Sequence, residues 1–129
     1  MKIIVFEPNK DPEVREIPDG DAAYESVKTI LGGYLQILPL KDTCDAYVDD
    51  EAKIKDEPCV PNPLATVVLS MIIHRDGRAM IPGDYIANTM VVVGVVNANG
   101  EVDGDWHDLR QEDIDDVLEV AKAVKLFIK

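Results

Sequence analysis

A chain of 129 residues is one domain long, and at that length it buries about two thirds of its unfolded surface without a metal or disulfide. Hydrophobic residues at 47% and charged residues at 29% exclude a disordered chain, a collagen-like repeat and a disulfide scaffold. Twenty-five acids against thirteen bases, a net charge of −12, exclude a reader of nucleic-acid phosphates, which needs clustered Lys and Arg.

The first elements are short. KIIVF (Lys2–Phe6) and the alternating EVREI (Glu13–Ile17), joined through Pro8, predict an opening β-hairpin. Pro18-Asp19-Gly20-Asp21 is a turn, with Asp19 or Asp21 expected to cap a helix. Tyr24, Val27, Ile30 and Leu31 then recur at helical spacing until Gly32-Gly33 stops the helix. YLQIL (Tyr34–Leu38) predicts a third strand, ended by Pro39.

The middle is acidic. Asp45 to Val48 predicts a strand, and Asp49-Asp50-Glu51 a turn toward Lys53-Ile54-Lys55. Asn62-Pro63 reads as a helix start, with Asn as the cap and Pro at the first helical position. The apolar run from Leu64 to Ile73 mixes helix formers with β-branched residues, and a helix is expected. Turns follow at Arg75-Asp76-Gly77 and Pro82-Gly83.

MVVVGVV (Met90–Val96) predicts a central strand buried on both faces. Asn97–Gly100 is a turn, and an acidic loop is expected after it. Asp108, with Gln111 in the capping-box position, is expected to start a long amphipathic helix. Ile114, Val117, Leu118, Ala121 and Val124 line its apolar face, with acids early and Lys122, Lys125 and Lys129 late.

The opening MKIIVFEPNK is not expected to be a secretory leader, and no run approaches the roughly 18–20 apolar residues of a membrane span. A cytoplasmic location in a bacterial cell is expected. Cys44 and Cys59 form no CxxC pair and are expected to be free thiols.

Candidate chemistry is sparse. GxSxG, Walker, GxGxxG and HExxH motifs are absent from the sequence. Cys44, Cys59, His74 and His107 match no zinc spacing. A calcium loop counted from Asn99 puts Glu101, Asp103 and Gly104 in place but ends on Arg110, where a bidentate Glu is required. No catalytic residue, cofactor or metal is therefore assigned.

The acids are the main signal. Glu101, Asp103, Asp105, Asp108, Glu112, Asp113, Asp115, Asp116 and Glu119 crowd one stretch, opposed in sequence only by Arg110. With Trp106 they form a candidate partner-binding surface; the plainer reading is a solvated loop and a dipole-compensated helix start. A second cluster, Asp42, Asp45, Asp49, Asp50, Glu51, Asp56 and Glu57, reads as a surface loop. Trp106 is either an exposed contact or folded back on the domain. Lys41, Arg75 and Arg78 are the contributors available to a basic ligand pocket.

The order of segments IIVFEPNKDPEVREI, LGGYLQILPL, AYVDDEAKI, PNPLAT and GDYIANTMVVVG resembles a bacterial and phage family, domain of unknown function 3846. The resemblance spans about Lys2 to Val96, which leaves residues 97–129 as an acidic loop and helix added to a family-like core. Asp50-Glu51-Ala52 stands where the family has Asn-Glu-Gly. The resemblance implies an α+β fold and a home on phages, plasmids or their hosts. It supplies no activity and no catalytic residues.

The reading is therefore a single α+β domain, with a mixed or antiparallel sheet, two to three helices and a long C-terminal helix. The expected function is a non-enzymatic accessory protein of a phage or mobile element that binds a host protein, itself basic or nucleic-acid-binding. Counter-defence or DNA mimicry would be examples of such a role. The alternative is a protein that sequesters a small molecule such as a nucleotide signal. MVVVGVV or the C-terminal LFI would also allow a homodimer. Neutralising Asp113, Asp115 and Asp116 is expected to weaken partner binding and flatten its salt dependence.

Overall fold

The computed structural model describes residues 1–50, 59–78 and 85–128. In chain order the elements are β1 (Lys2–Phe6), β2 (Glu13–Glu16), α1 (Asp21–Leu31), β3 (Leu35–Lys41) and β4 (Cys44–Asp49). Then come α2 (Pro63–Arg75), β5 (Met90–Val96), β6 (Val102–His107) and α3 (Gln111–Lys125). The strands form one six-stranded antiparallel sheet in the order β2-β1-β5-β4-β3, with β6 added to β5. This is a single α+β domain.

Side-chain alternation along the strands sorts the core into two clusters. Ile4, Phe6, Cys44, Ala46, Val48, Met90 and Val92 point to one face, which α2 and α3 cover with Leu69, Ile72, Ile114, Val117 and Ala121. Ile3, Val5, Val91 and Val93 point to the other, which α1 covers with Ala23, Val27 and Leu31. β1 and β5 are buried on both faces, so their sequences are continuously apolar rather than alternating.

α1 is only 11 residues long and lies against β1 and β5. Among the described residues no helix covers the same face over β4 and β3. There β4 alternates: Cys44, Ala46 and Val48 are buried toward α2 and α3, while Asp45 and Tyr47 stand half-buried on the open side.

α2 is a helix despite its β-branched residues. The Asn62 side chain accepts the Ala65 N–H at 3.2 Å, and Pro63 opens the first turn. Leu64, Ala65, Val68, Leu69, Ile72 and Ile73 are buried at helical spacing, and that burial outweighs intrinsic propensity. Asn62 is itself buried, donating to Phe6 O at 3.0 Å and Asn88 O at 2.8 Å, so it joins α2 to the sheet.

Several sequence expectations are corrected. α1 is preceded by Gly20 at φ 66, without a side-chain cap; Asp19 instead pairs with the Met1 amino group at 3.1 Å. Tyr24 lies beside the buried stripe of Ala23, Val27 and Leu31 and is 48% exposed. β3 runs through Pro39, because it is an edge strand and its ladder is irregular between Pro39 and Lys41. α3 begins after Arg110 without a side-chain cap, since Asp108 turns back to accept the Lys2 N–H at 2.6 Å.

The expected acidic loop contains β6. Met90 to Val93, in the MVVVGVV run, are fully buried in the centre of the sheet, whereas at the C-terminus Leu126 and Phe127 are exposed. The expected segment Lys53-Ile54-Lys55, the acids Glu51, Asp56 and Glu57, and the Pro82-Gly83 turn lie outside the described residues.

Candidate partner-binding groove

The open part of the second sheet face is a groove of about 750 Å³. Its floor is Leu35 and Ile37 of β3 with Tyr47 of β4, and its wall is Tyr24 of α1 with Trp106 of β6. Trp106 packs edge-on to Tyr47 with ring centroids 5.0 Å apart and lies 6.0 Å from Tyr24. Its indole N–H donates to the Tyr47 hydroxyl at 3.2 Å. Burial pushes the Tyr47 phenol above its ordinary value.

β6 holds Trp106 in place through turn chemistry. Asn97 Oδ1 accepts the N–H groups of Asn99 and Glu101, at 2.9 and 3.1 Å. Asp103 Oδ1 accepts the Asp105 N–H at 3.0 Å, across Gly104 at φ 86. The β5–β6 register shifts between Gly94 and Val96, a bulge that aims β6 side chains. A glycine inside VDGDWH was the available signal for a bulged strand; the surrounding acids hid it. Trp106 thus satisfies both sequence readings, folding back onto the Val91–Val93 cluster while lining a surface groove.

The groove is acidic at its rim. Asp21 and Asp105 line it, and none of its eleven described lining residues is Lys or Arg. His107 donates to the Asp103 carboxylate at 2.8 Å, and this bond holds the Asp103 carboxyl below the usual range. Asp45, on the same face as Tyr47, is raised by burial.

The other acids do not form one face. Asp113 is 2% exposed and accepts from Lys41 Nζ at 2.7 Å. Asp116 accepts from Lys41 at 2.9 Å and from both terminal nitrogens of Arg75, at 2.9 and 2.7 Å. Arg75 first, then Lys41, lower the Asp116 carboxyl to about 2. Burial alone would lower the Lys41 ammonium; the two carboxylates outweigh it and raise it. Arg110 pairs with Glu112, and Asp115 accepts from Gln111 at 2.8 Å. Glu101, Asp105, Asp115 and Glu119 stay exposed. The acidic stretch is therefore opposed by Lys41 and Arg75 as well as by Arg110, because the fold brings distant bases to it.

Lys41 and Arg75, with Arg78, were the alternative ligand set. The second cavity, about 810 Å³, gathers Lys41, Arg78 and Arg110 with Asp42, Asp76, Glu112, Asp113 and Asp116. Arg78 donates to the Pro39 and Leu40 carbonyls. Among the described lining residues three bases thus stand with five acids.

Nucleophile and metal geometries are equally undeveloped among the described residues. Cys44 is buried, and burial, then the Asp113 charge, push its thiol up to about 12, the reverse of activation. Cys59 is also a free thiol. His74 bonds Ser70 within α2, its Nδ1 lying 3.2 Å from the hydroxyl and 2.7 Å from the carbonyl, and no third group orients the pair. Among the described residues no cluster of three or more His, Cys, Asp or Glu side chains is arranged for a metal, and no helix is long and apolar enough to cross a membrane.

The family described as domain of unknown function (DUF3846) matches residues 1–122. The chain belongs to this family. The DUF3846 match runs past Val96 and takes in β6 and most of α3, which the sequence resemblance had set aside as an addition. Packing gives the reason: Ile114, Val117 and Ala121 close the larger core cluster against α2. No curated protein and no solved structure matches the chain.

Proposed function

We propose that this DUF3846 protein is a non-enzymatic accessory protein that binds a basic partner protein, and that the groove beside Trp106 is where it does so. The setting is the phage or mobile-element role, with a host protein as the partner, that the family resemblance implies. The observation that carries the reading is an aromatic groove with acids on its rim and no base among its described lining residues. Tyr and Trp supply rigid contact area at interfaces, and a negative rim steers a positive partner. The pairing of Lys41, Arg75 and Arg78 within the fold favours this reading over sequestration of an anionic small molecule.

Immobilised wild-type protein, the Trp106→Ala variant and an Asp21→Asn/Asp105→Asn variant test it against bacterial lysate at low and moderate salt. A basic protein should be retained by wild type at low salt, released at moderate salt, and retained weakly by both variants while their circular dichroism is unchanged. Equal retention by all three proteins would overturn the assignment of the groove.

A further inference from the structure

We propose that the Tyr24–Trp106–Tyr47 cluster is the anchor for an arginine side chain of a basic partner segment. This rests on the basic-partner reading above and names the group that is recognised. Three kinds of surface meet at one place. Trp106 and Tyr24 offer ring surface, Tyr24 being 48% exposed. Asp21 and Asp105 stand at the rim, and their carboxylates can accept charge-assisted hydrogen bonds. Ile37, 48% exposed, continues the floor toward the sheet edge.

A guanidinium uses all three. Its plane stacks on an aromatic face, its N–H fork matches a carboxylate, and its aliphatic stem covers an apolar neighbour. A lysine ammonium is a compact, strongly hydrated charge that uses the rim without the stacking. The fold already sets one cation over a ring close by: Lys28 Nζ lies 6.0 Å from the centroid of Tyr34, one helical turn along α1 from Tyr24.

Trp106 is the only tryptophan, so its emission reports on the anchor directly. The test titrates the full chain with oligo-arginine, oligo-lysine and oligo-glutamate peptides of equal length, at low salt, following emission and heat. Oligo-arginine should change Trp106 emission saturably and bind about fivefold or more tightly than oligo-lysine. Oligo-glutamate should not bind. Tyr24→Leu keeps the tryptophan and replaces a half-exposed side chain, and it should erase most of the arginine preference. Equal binding of both basic peptides with unchanged emission would overturn the arginine anchor and leave the basic-partner reading standing. Failure of both basic peptides to bind would overturn both.

Discussion

Trp106 and Tyr47, 59 residues apart in the chain, are joined by a hydrogen bond from the indole N–H to the phenol oxygen at 3.2 Å, across the face of β5. The bond fixes the groove wall to the groove floor. Tyr47→Phe keeps the ring contact and leaves the half-buried N–H without its acceptor. Unfolding in denaturant should show a loss of about 1 kcal/mol, with a shift in Trp106 emission. Unaltered emission would mean that the bond does not set the indole's position.

The acids of α3 are not equivalent. Asp113 is buried against Lys41, whereas Asp115 is exposed and bonded only to Gln111 among the described residues. Asp113→Ala removes one of the two carboxylates that hold the partly buried Lys41 ammonium, leaving Asp116, and should cost about 2 kcal/mol. Asp115→Asn should change stability by less than about 0.5 kcal/mol. Joint neutralisation of Asp113, Asp115 and Asp116 would thus report on folding before it reported on binding. Asp21 and Asp105 are the positions to neutralise, and equal stability of the two single variants by chemical denaturation would refute the distinction.

Acid should weaken the fold through Asp116. Its folded carboxyl titrates at about 2, below the 3.8 of a free one. A depressed pKa stabilises the folded state above the unfolded value, and that stability is lost as pH falls through the folded value. The window is therefore about pH 4 down to about pH 2. Asp116 is 27% exposed, so solvent trims the effect to on the order of 1–2 kcal/mol. In Arg75→Gln, where Lys41 still holds Asp116, the stability lost between neutral pH and pH near 2 should shrink by part of that amount; an identical acid profile would sink the assignment.

Gly94 is needed for close approach rather than for its backbone angle. A Cβ there would lie 2.7 Å from His107 O and 2.6 Å from Asp108 O, both backbone atoms. Gly94→Ala must push β6 away from β5 and should cost about 2–3 kcal/mol. Because β6 carries Trp106, its emission should redshift in the folded state. A fully stable variant would show that β6 shifts freely.

Much of the architecture was legible because it rests on local pattern. KIIVF and MVVVGVV are apolar at almost every position, and only strands covered on both faces are written that way. Asn62-Pro63 announced α2, and the stripe through Ile114, Val117, Ala121 and Val124 announced α3. β6 was not legible, since six residues with two acids and a glycine carry little strand signal and are held by pairing with β5.

The sequence by itself determined the composition of the site: a lone tryptophan among acids, a net charge of −12, and a family order from the hairpin to the last apolar strand. Only the tertiary structure decided which acids are paired with bases and which line the groove. Lys41 and Asp113 are 72 residues apart, and charge counted along a chain cannot show that pairing. The same holds for the groove, whose Tyr24, Tyr47 and Trp106 come from a helix and two strands that no local pattern brings together. Local periodicity names which residues are buried; the meeting of distant side chains depends on how the covered faces stack, and here α1 is too short to cover the last of them.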